Sequence, residues 1–348
     1  MPFSADPFNE VDGFILSQFC YIPLEGVVPS SLDEEVSFPE AYRRYDAGKV
    51  DEKLRILTFE QDGILFGKLA ESRRFRGTML RGYVSYVENS EDMQFSALIY
   101  RLEDGSGFLA FRGTDGTVVG WKEDFNLSYM QQTSGQQRAV SYLNDAFDGS
   151  ECPIRLGGHS KGGNFAIYAS LFCDEKIRER IVDIYSFDGP GFRDEVLDSE
   201  IYKAMLPRIQ CFIPEASIVG MLLGSGSDPK IVKTSVNGIK QHYAYYWELA
   251  RNRFLLADKL KKSGEVINKA ISGLLSDFSD TERAIFTESL FEILKAPDKE
   301  TLKELNKLRS YPSIIKAISR LRPEQQAVMK EAFKKIAQNG TGALFKPQ

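Results

Sequence analysis

Apolar positions along this chain shift from helical spacing to alternation and back again. From Phe8 to Cys20 they recur at helical spacing, and a Pro-rich, acidic connection runs from Pro23 to Pro39. Period two then takes over. Met79 to Val87 and Phe95 to Leu102 alternate, are rich in Tyr, Val and Ile, and flank Asn89-Ser90-Glu91-Asp92. That arrangement predicts a β-hairpin. A third apolar run, Phe108 to Phe111, follows the turn residues Glu103 to Gly107. Beyond it the two periods interleave. Helix is predicted over Gln136 to Phe147 and Asn164 to Leu171, and strand over Ile154 to Leu156, Ile181 to Phe187, Ile209 to Ile213 and Ile231 to Ser235. Strands alternating with helices argue for a parallel sheet covered on both faces. After about residue 250 no strand is predicted. Ala270 to Leu275, Glu282 to Leu294, Thr301 to Leu308 and Glu324 to Ile336 carry helical periodicity, with Pro323 at a helix start and Gly340 at a stop.

One strand-to-helix junction carries chemistry. Gly158-His159-Ser160-Lys161-Gly162, followed by Gly163, is a G-x-S-x-G pentapeptide between the strand at Ile154 and the helix from Asn164. In an α/β-hydrolase such glycines permit the sharp turn that lifts a serine Oγ above the sheet. Taken alone the pentapeptide fits any tight turn; in this context Ser160 reads as a nucleophile. A serine needs a base, and the chain has two histidines. His159 precedes the serine in the elbow, where its side chain is expected to point away from substrate. His242 remains, a short loop after the last predicted strand, where this fold places its histidine.

The orienting carboxylate should lie between Ser160 and His242 in the chain. Asp188 ends one predicted strand before Gly189-Pro190-Gly191, Glu215 follows the next strand, and Asp228 sits in the loop Gly224 to Pro229. The choice stays open, with Asp188 first and Glu215 as the alternative acid. The oxyanion hole needs two N–H groups. Lys161, the residue after the nucleophile, supplies one. Thr114, in Phe111-Arg112-Gly113-Thr114 at a strand end, is the candidate for the other, with Arg112 anchoring the loop. The Lys161 side chain is expected to face solvent. Thr117 to Gln132, with Trp121, Phe125 and Tyr129, could form a lid or a wall, though aromatic residues at that spacing more often face a core. Met221 to Ser227 is a second candidate for a mobile flank.

Composition narrows the class without changing it. Hydrophobic residues at 43% and charged residues at 27% are ordinary for a globular protein. No apolar run is long enough for a transmembrane helix, and Met1 to Asp6 does not read as a secretory signal. Cys20, Cys152, Cys173 and Cys211 show no ligand spacing, so neither a metal nor a cofactor is expected, and a cytoplasmic location is the default. Net charge is −5 but uneven: residues 251–348 hold 19 basic against 12 acidic residues, a net of +7. The basic residues alternate with acidic ones along the predicted helices, which favours a solvated face over nucleic-acid binding. Contact with a membrane surface stays open, as does the oligomeric state.

Taken together these motifs resemble a family. Phe111-Arg112-Gly113-Thr114, Trp121-x-x-Asp124 and Gly158-His159-Ser160-Lys161-Gly162-Gly163 are similar to the oxyanion strand and elbow of class 3 (fungal-type) lipases, over about residues 79–245. The chain resembles still more an uncharacterised bacterial family of lipase-like hydrolases of the Mbeg type, through Ser217 to Leu223, Gln241-His242 and the helical C-terminus. The resemblance implies Ser160 as nucleophile, His242 as base, and Thr114 with Lys161 as oxyanion hole. It departs at the acid, since the position aligned with the class 3 aspartate is Ser217. Asp188 instead resembles the strand-end aspartate of pancreatic-type lipases.

The expected architecture is therefore an α/β-hydrolase fold with a mostly parallel central sheet. Residues 1–60 would form a mainly helical N-terminal extension packing on the core. The catalytic domain would span residues 61–250, and residues 251–348 would be an α-helical C-terminal region. The expected activity is hydrolysis of carboxylic esters, lipid acyl esters among them, through an acyl-enzyme. The rival is a catalytically weak or inactive lipase-like scaffold that binds a partner or an acyl ligand.

Overall fold

A computed structural model describes residues 1–45, 59–115, 117–261, 277–296 and 311–339. Its centre is an eight-stranded sheet whose spatial order follows the chain: β1 (Val36–Ser37), β2 (Met79–Glu88), β3 (Met93–Arg101), β4 (Gly107–Phe111), β5 (Ile154–His159), β6 (Ile181–Phe187), β7 (Ile209–Pro214) and β8 (Lys230–Val232). The pairs from β1 to β4 are antiparallel and those from β4 to β8 parallel. This is the expected α/β architecture with a mostly parallel sheet.

Alternation along β4 shows how the sequence builds two cores. Successive side chains of a strand point to opposite faces. Phe108 and Ala110 enter one apolar cluster, and Leu109 and Phe111 enter the other. The first face is covered by α1 (Glu10–Phe19), α2 (Phe38–Arg44) and α3 (Phe59–Glu71). There Phe19 meets Phe66 edge-on with ring centroids 4.8 Å apart, and Phe38 stacks on Tyr100 at 6.2 Å. Asn9 starts α1 with a capping box to Asp12.

Two of these helices lie where the periodicity predicted none. Ser37 caps α2 and Pro39 occupies its first turn, so that proline begins a helix instead of breaking one. In α3, Gly63 and Gly67 interrupt the apolar period and lower helix propensity. A Cβ at Gly67 would stand 3.2 Å from the Tyr42 hydroxyl, so the small residue lets α2 and α3 approach.

The opposite face carries α4 (Val118–Asn126), α5 (Ser134–Phe147), α6 (Lys161–Phe172), α7 (Glu175–Arg178), α8 (Asp194–Leu197) and α9 (Glu200–Met205). A small hairpin, β9 (Leu249–Ala250) with β10 (Arg253–Phe254), extends past the expected last strand. Strands of two residues are too short for a period to show, and this one is fixed by Phe254 packing on Trp247 and Phe212.

Among the described residues the C-terminal helices are α10 (Asp280–Lys295), α11 (Tyr311–Arg320) and α12 (Pro323–Asn339). They share a small cluster of Ile293, Ala317, Leu321 and Met329. Helix α10 reaches the body through Phe291, which packs near Val118 and meets Phe125 edge-on at 5.6 Å. The segments Ala270 to Leu275 and Thr301 to Leu308, and the stop at Gly340, lie outside the described residues. Among the described residues no helix is long and apolar enough to cross a membrane.

Candidate active site

The sharp turn at Ser160 follows from the glycines around it. β5 ends at His159, α6 begins at Lys161, and Ser160 between them takes φ 59° and ψ −135°. A positive φ on a residue with a Cβ is strained and is kept where the surroundings over-determine it. Ser160 N–H donates to Phe187 O at 2.8 Å and its carbonyl accepts from Gly163 N at 2.8 Å. A Cβ at Gly158 would run into the Gly162 backbone, and one at Gly162 into Phe111 O. Strand and helix can approach this closely only without those side chains. Ser160 is 8% exposed, and its side chain makes no capping hydrogen bond to the helix it precedes.

Asp188 follows β6, the strand paired with β5, and is fully buried with φ 52°. Its N–H donates to Phe212 O at 2.7 Å. One carboxylate oxygen, Oδ1, accepts from Gly220 N at 3.0 Å and from the Ser217 hydroxyl. The other, Oδ2, lies 2.6 Å from His242 Nδ1. An ionised carboxylate only accepts, so Nδ1 of His242 carries the proton and Nε2 of the neutral ring is left with its lone pair. The loop holding His242 is itself pinned. Gln241 Oε1 accepts from Ala216 N at 2.9 Å, and Trp247 Nε1 donates to Gln241 O at 2.8 Å.

Of the two other acid candidates, Glu215 is engaged elsewhere. It forms an ion pair with Lys261 at 3.0 Å and accepts from Thr234 N. Asp228 lines a cleft of about 410 Å³ with Met221, Leu223 and Leu260, none of which is a candidate catalytic residue. A larger cleft of about 520 Å³, lined by Val27, Val28 and Tyr83 to Tyr86, is likewise away from Ser160.

The Phe111 to Thr114 stretch ends β4 beside the elbow. A Cβ at Gly113 would stand 2.8 Å from Ser160 Cβ, so the loop backbone lies against Ser160. Arg112 is buried on Asp115 at 3.3 Å, the anchoring role expected of it. Thr114 Oγ1 donates to Asp124 Oδ2 at 2.6 Å, which commits the hydroxyl. Lys161 is the first residue of α6, and a first-turn N–H has no carbonyl partner within its helix.

The Lys161 side chain corrects the sequence reading. It does not face solvent: it is fully buried, with Nζ 2.6 Å from Glu123 Oε2 and 3.2 Å from Gln94 Oε1. Glu123 in turn accepts from Gly135 N at 2.9 Å and Gln94 N at 3.2 Å. Burial lifts the neighbouring Asp124 carboxyl to about 6, against the opposing pull of Lys161 and Thr114. Helix α4 is thus tied to both oxyanion candidates by consecutive carboxylates. Its remaining exposed aromatic is Trp121, at 37%, while Phe125 packs under α10.

Three contributors were absent from the sequence reading. Ser217 carried a signal, because it occupies the aligned acid position, and its hydroxyl donates to Asp188, the candidate that stands in for the missing acid. Gly220 and Glu123 carried none. Among the described residues there is no cluster of His, Cys, Asp and Glu able to hold a metal ion.

A family model described as Mbeg1-like matches residues 69–292. A solved structure described as a crystal structure of M37 lipase aligns with 11% identity and a TM-score of 0.40, covering 94% of this chain and 100% of that one. No curated protein matches the chain.

Proposed function

From the premise that this chain belongs to the Mbeg1-like family, whose model spans well over half of it, we propose that it is a serine hydrolase cleaving carboxylic esters. The observation that carries this reading is the Asp188–His242 contact of 2.6 Å at the strand end next to the Ser160 elbow. A buried carboxylate whose second oxygen is held by Ser217 and Gly220 orients an imidazole, and nothing in a plain packing turn requires one.

The chemistry follows in two halves. Ser160 Oγ attacks the ester carbonyl carbon while its proton passes to His242 Nε2. The N–H groups of Thr114 and Lys161 receive the negative charge that develops on the carbonyl oxygen. Collapse breaks the bond to the alcohol, which leaves with the proton from His242, and an acyl-Ser160 ester remains. Water then gives a proton to His242 and attacks the acyl carbon, and the acid departs as Ser160 recovers its proton. Asp188 stays ionised throughout, fixing the tautomer and stabilising the imidazolium.

The rival scaffold reading drew its support from the serine at the aligned acid position. The Asp188 carboxylate 2.6 Å from His242 Nδ1 weighs against it, since an acid then stands beside the histidine without one at position 217. The test is labelling by a fluorophosphonate together with turnover of p-nitrophenyl esters of graded acyl length. Wild type should label and turn over, and Ser160→Ala should do neither. Equal labelling of both removes Ser160 as nucleophile.

A further inference from the structure

The chain's second histidine has no part in the steps above, yet it is buried against the first. His159 is 5% exposed, its ring centroid lies 4.6 Å from that of His242, and its Nε2 is 2.7 Å from the His242 carbonyl oxygen. A carbonyl only accepts, so Nε2 of His159 carries its proton. Burial pushes this imidazole down to about 3, so at neutral pH the ring is uncharged and its Nδ1 is bare. The Tyr21 hydroxyl sits 3.1 Å from that Nδ1 and 3.2 Å from the His159 carbonyl, and either can take its one proton. The Tyr21 oxygen accepts in turn from Gly113 N–H at 3.1 Å.

Each link of this chain of bonds touches a different part of the candidate site. Gly113 belongs to the oxyanion loop, His159 is the residue before the nucleophile, and the His242 carbonyl is the backbone of the base. Tyr21 is held rigidly for the task. Its N–H donates to Gln18 O at 3.0 Å at the end of α1, a helix anchored by fully buried Leu16 and Phe19. It also lies outside the residues matched by the family model.

We propose that Tyr21 and His159 are positioning residues that lock the oxyanion loop, the elbow and the backbone of His242 into one geometry. The proposal rests on the serine-hydrolase reading for its kinetic consequence and on hydrogen-bond geometry alone for its structural one. Misplacing a reacting group by about 1 Å costs on the order of 100-fold in rate. Loss of the lock therefore acts on the transition state more than on substrate binding.

The test joins kinetics with imidazole NMR, using the full chain and its two histidines. Tyr21→Phe and His159→Leu should each lower kcat for p-nitrophenyl butyrate by roughly 10- to 100-fold, with KM within about two-fold. His159→Gln restores an N–H near the His242 carbonyl and should recover most of that loss, which a mere packing role would not allow. In the ¹⁵N spectrum, His159, assigned by its disappearance in His159→Gln, should be the neutral Nε2–H tautomer at pH 5. An Nδ1–H tautomer of the neutral ring overturns the proposal even if no substrate is ever turned over. So does a Tyr21→Phe variant with wild-type kcat, or a His159→Gln variant as impaired as His159→Leu. If wild type and Ser160→Ala label alike, the hydrolase reading falls by itself and the tautomer still decides the lock.

Discussion

The two sides of Ser160 solve the problem of buried charge differently. On the acid side a single carboxylate, Asp188, is surrounded by neutral donors, namely Ser217, Gly220 and the imidazole of His242. On the oxyanion side a full ion pair, Lys161 with Glu123, is buried within α4, α6 and β3 and wrapped by further hydrogen bonds. Under the proposed mechanism the first arrangement leaves one bond free to strengthen when His242 takes a proton. The second is complete in the resting state, and breaking it strands a charge. On the proposed mechanism the acid side responds and the oxyanion side holds still.

The comparison breaks most visibly at Asp188. Asp188→Asn should keep the fold and lower kcat/KM by about 10⁴-fold, because the amide can force the wrong tautomer on His242. A loss under about ten-fold would mean that His242 is oriented by something else. Next comes Glu123→Ala, which leaves Lys161 buried and unpaired and should cost about 3–5 kcal/mol in urea unfolding. Lys161→Met combined with Glu123→Gln should recover most of that, and failure to do so would make the hydrogen bonds of Glu123, not its charge, the stabilising part. Smaller still is Ser217→Ala, expected to cost about 1–3 kcal/mol and to lower kcat without raising KM. A rise in KM alone would place Ser217 on the substrate.

The smallest effects concern pH and have opposite signs. His159 is held below its unfolded value, so its share of stability is present above about pH 6.5 and is lost as pH falls toward 3. Asp124 is held above its unfolded value, so its share is present below about pH 3.8 and is lost as pH rises through 6. Urea midpoints at pH 4.5 and 8 should therefore shift in opposite directions relative to wild type. Asp124→Asn should gain at pH 8 relative to pH 4.5, and His159→Gln should gain at pH 4.5 relative to pH 8. Parallel shifts would refute the assignment.

Local signals carried much of the fold and part of the site. The elbow glycines, the hairpin and the strand–helix alternation were legible because each is written in neighbouring residues. The choice between Asp188 and Glu215 was not, since both end parallel strands and only the arrangement of the loops around Ser217 and Gln241 brings one of them to His242. Lys161 misled for a related reason. A lysine after Ser160 looks solvated until Glu123, 38 positions away, is known to face it. His159 was expected to point away from substrate, and its contact with Tyr21 spans 138 positions. No local period reports such pairs.

The docking of α10 on α4 has a bearing on how the chain is made. Lys122 and Glu288, bonded at 3.0 Å, are 166 residues apart. At roughly 5–20 residues per second, a ribosome takes about ten to thirty seconds to pass from one to the other. Asp188, Ser217 and His242 are all translated within that interval, before the helix that packs on α4. The nascent chain thus carries the apolar side of α4, with Val118 and Phe125, uncovered until nearly the last helices arrive.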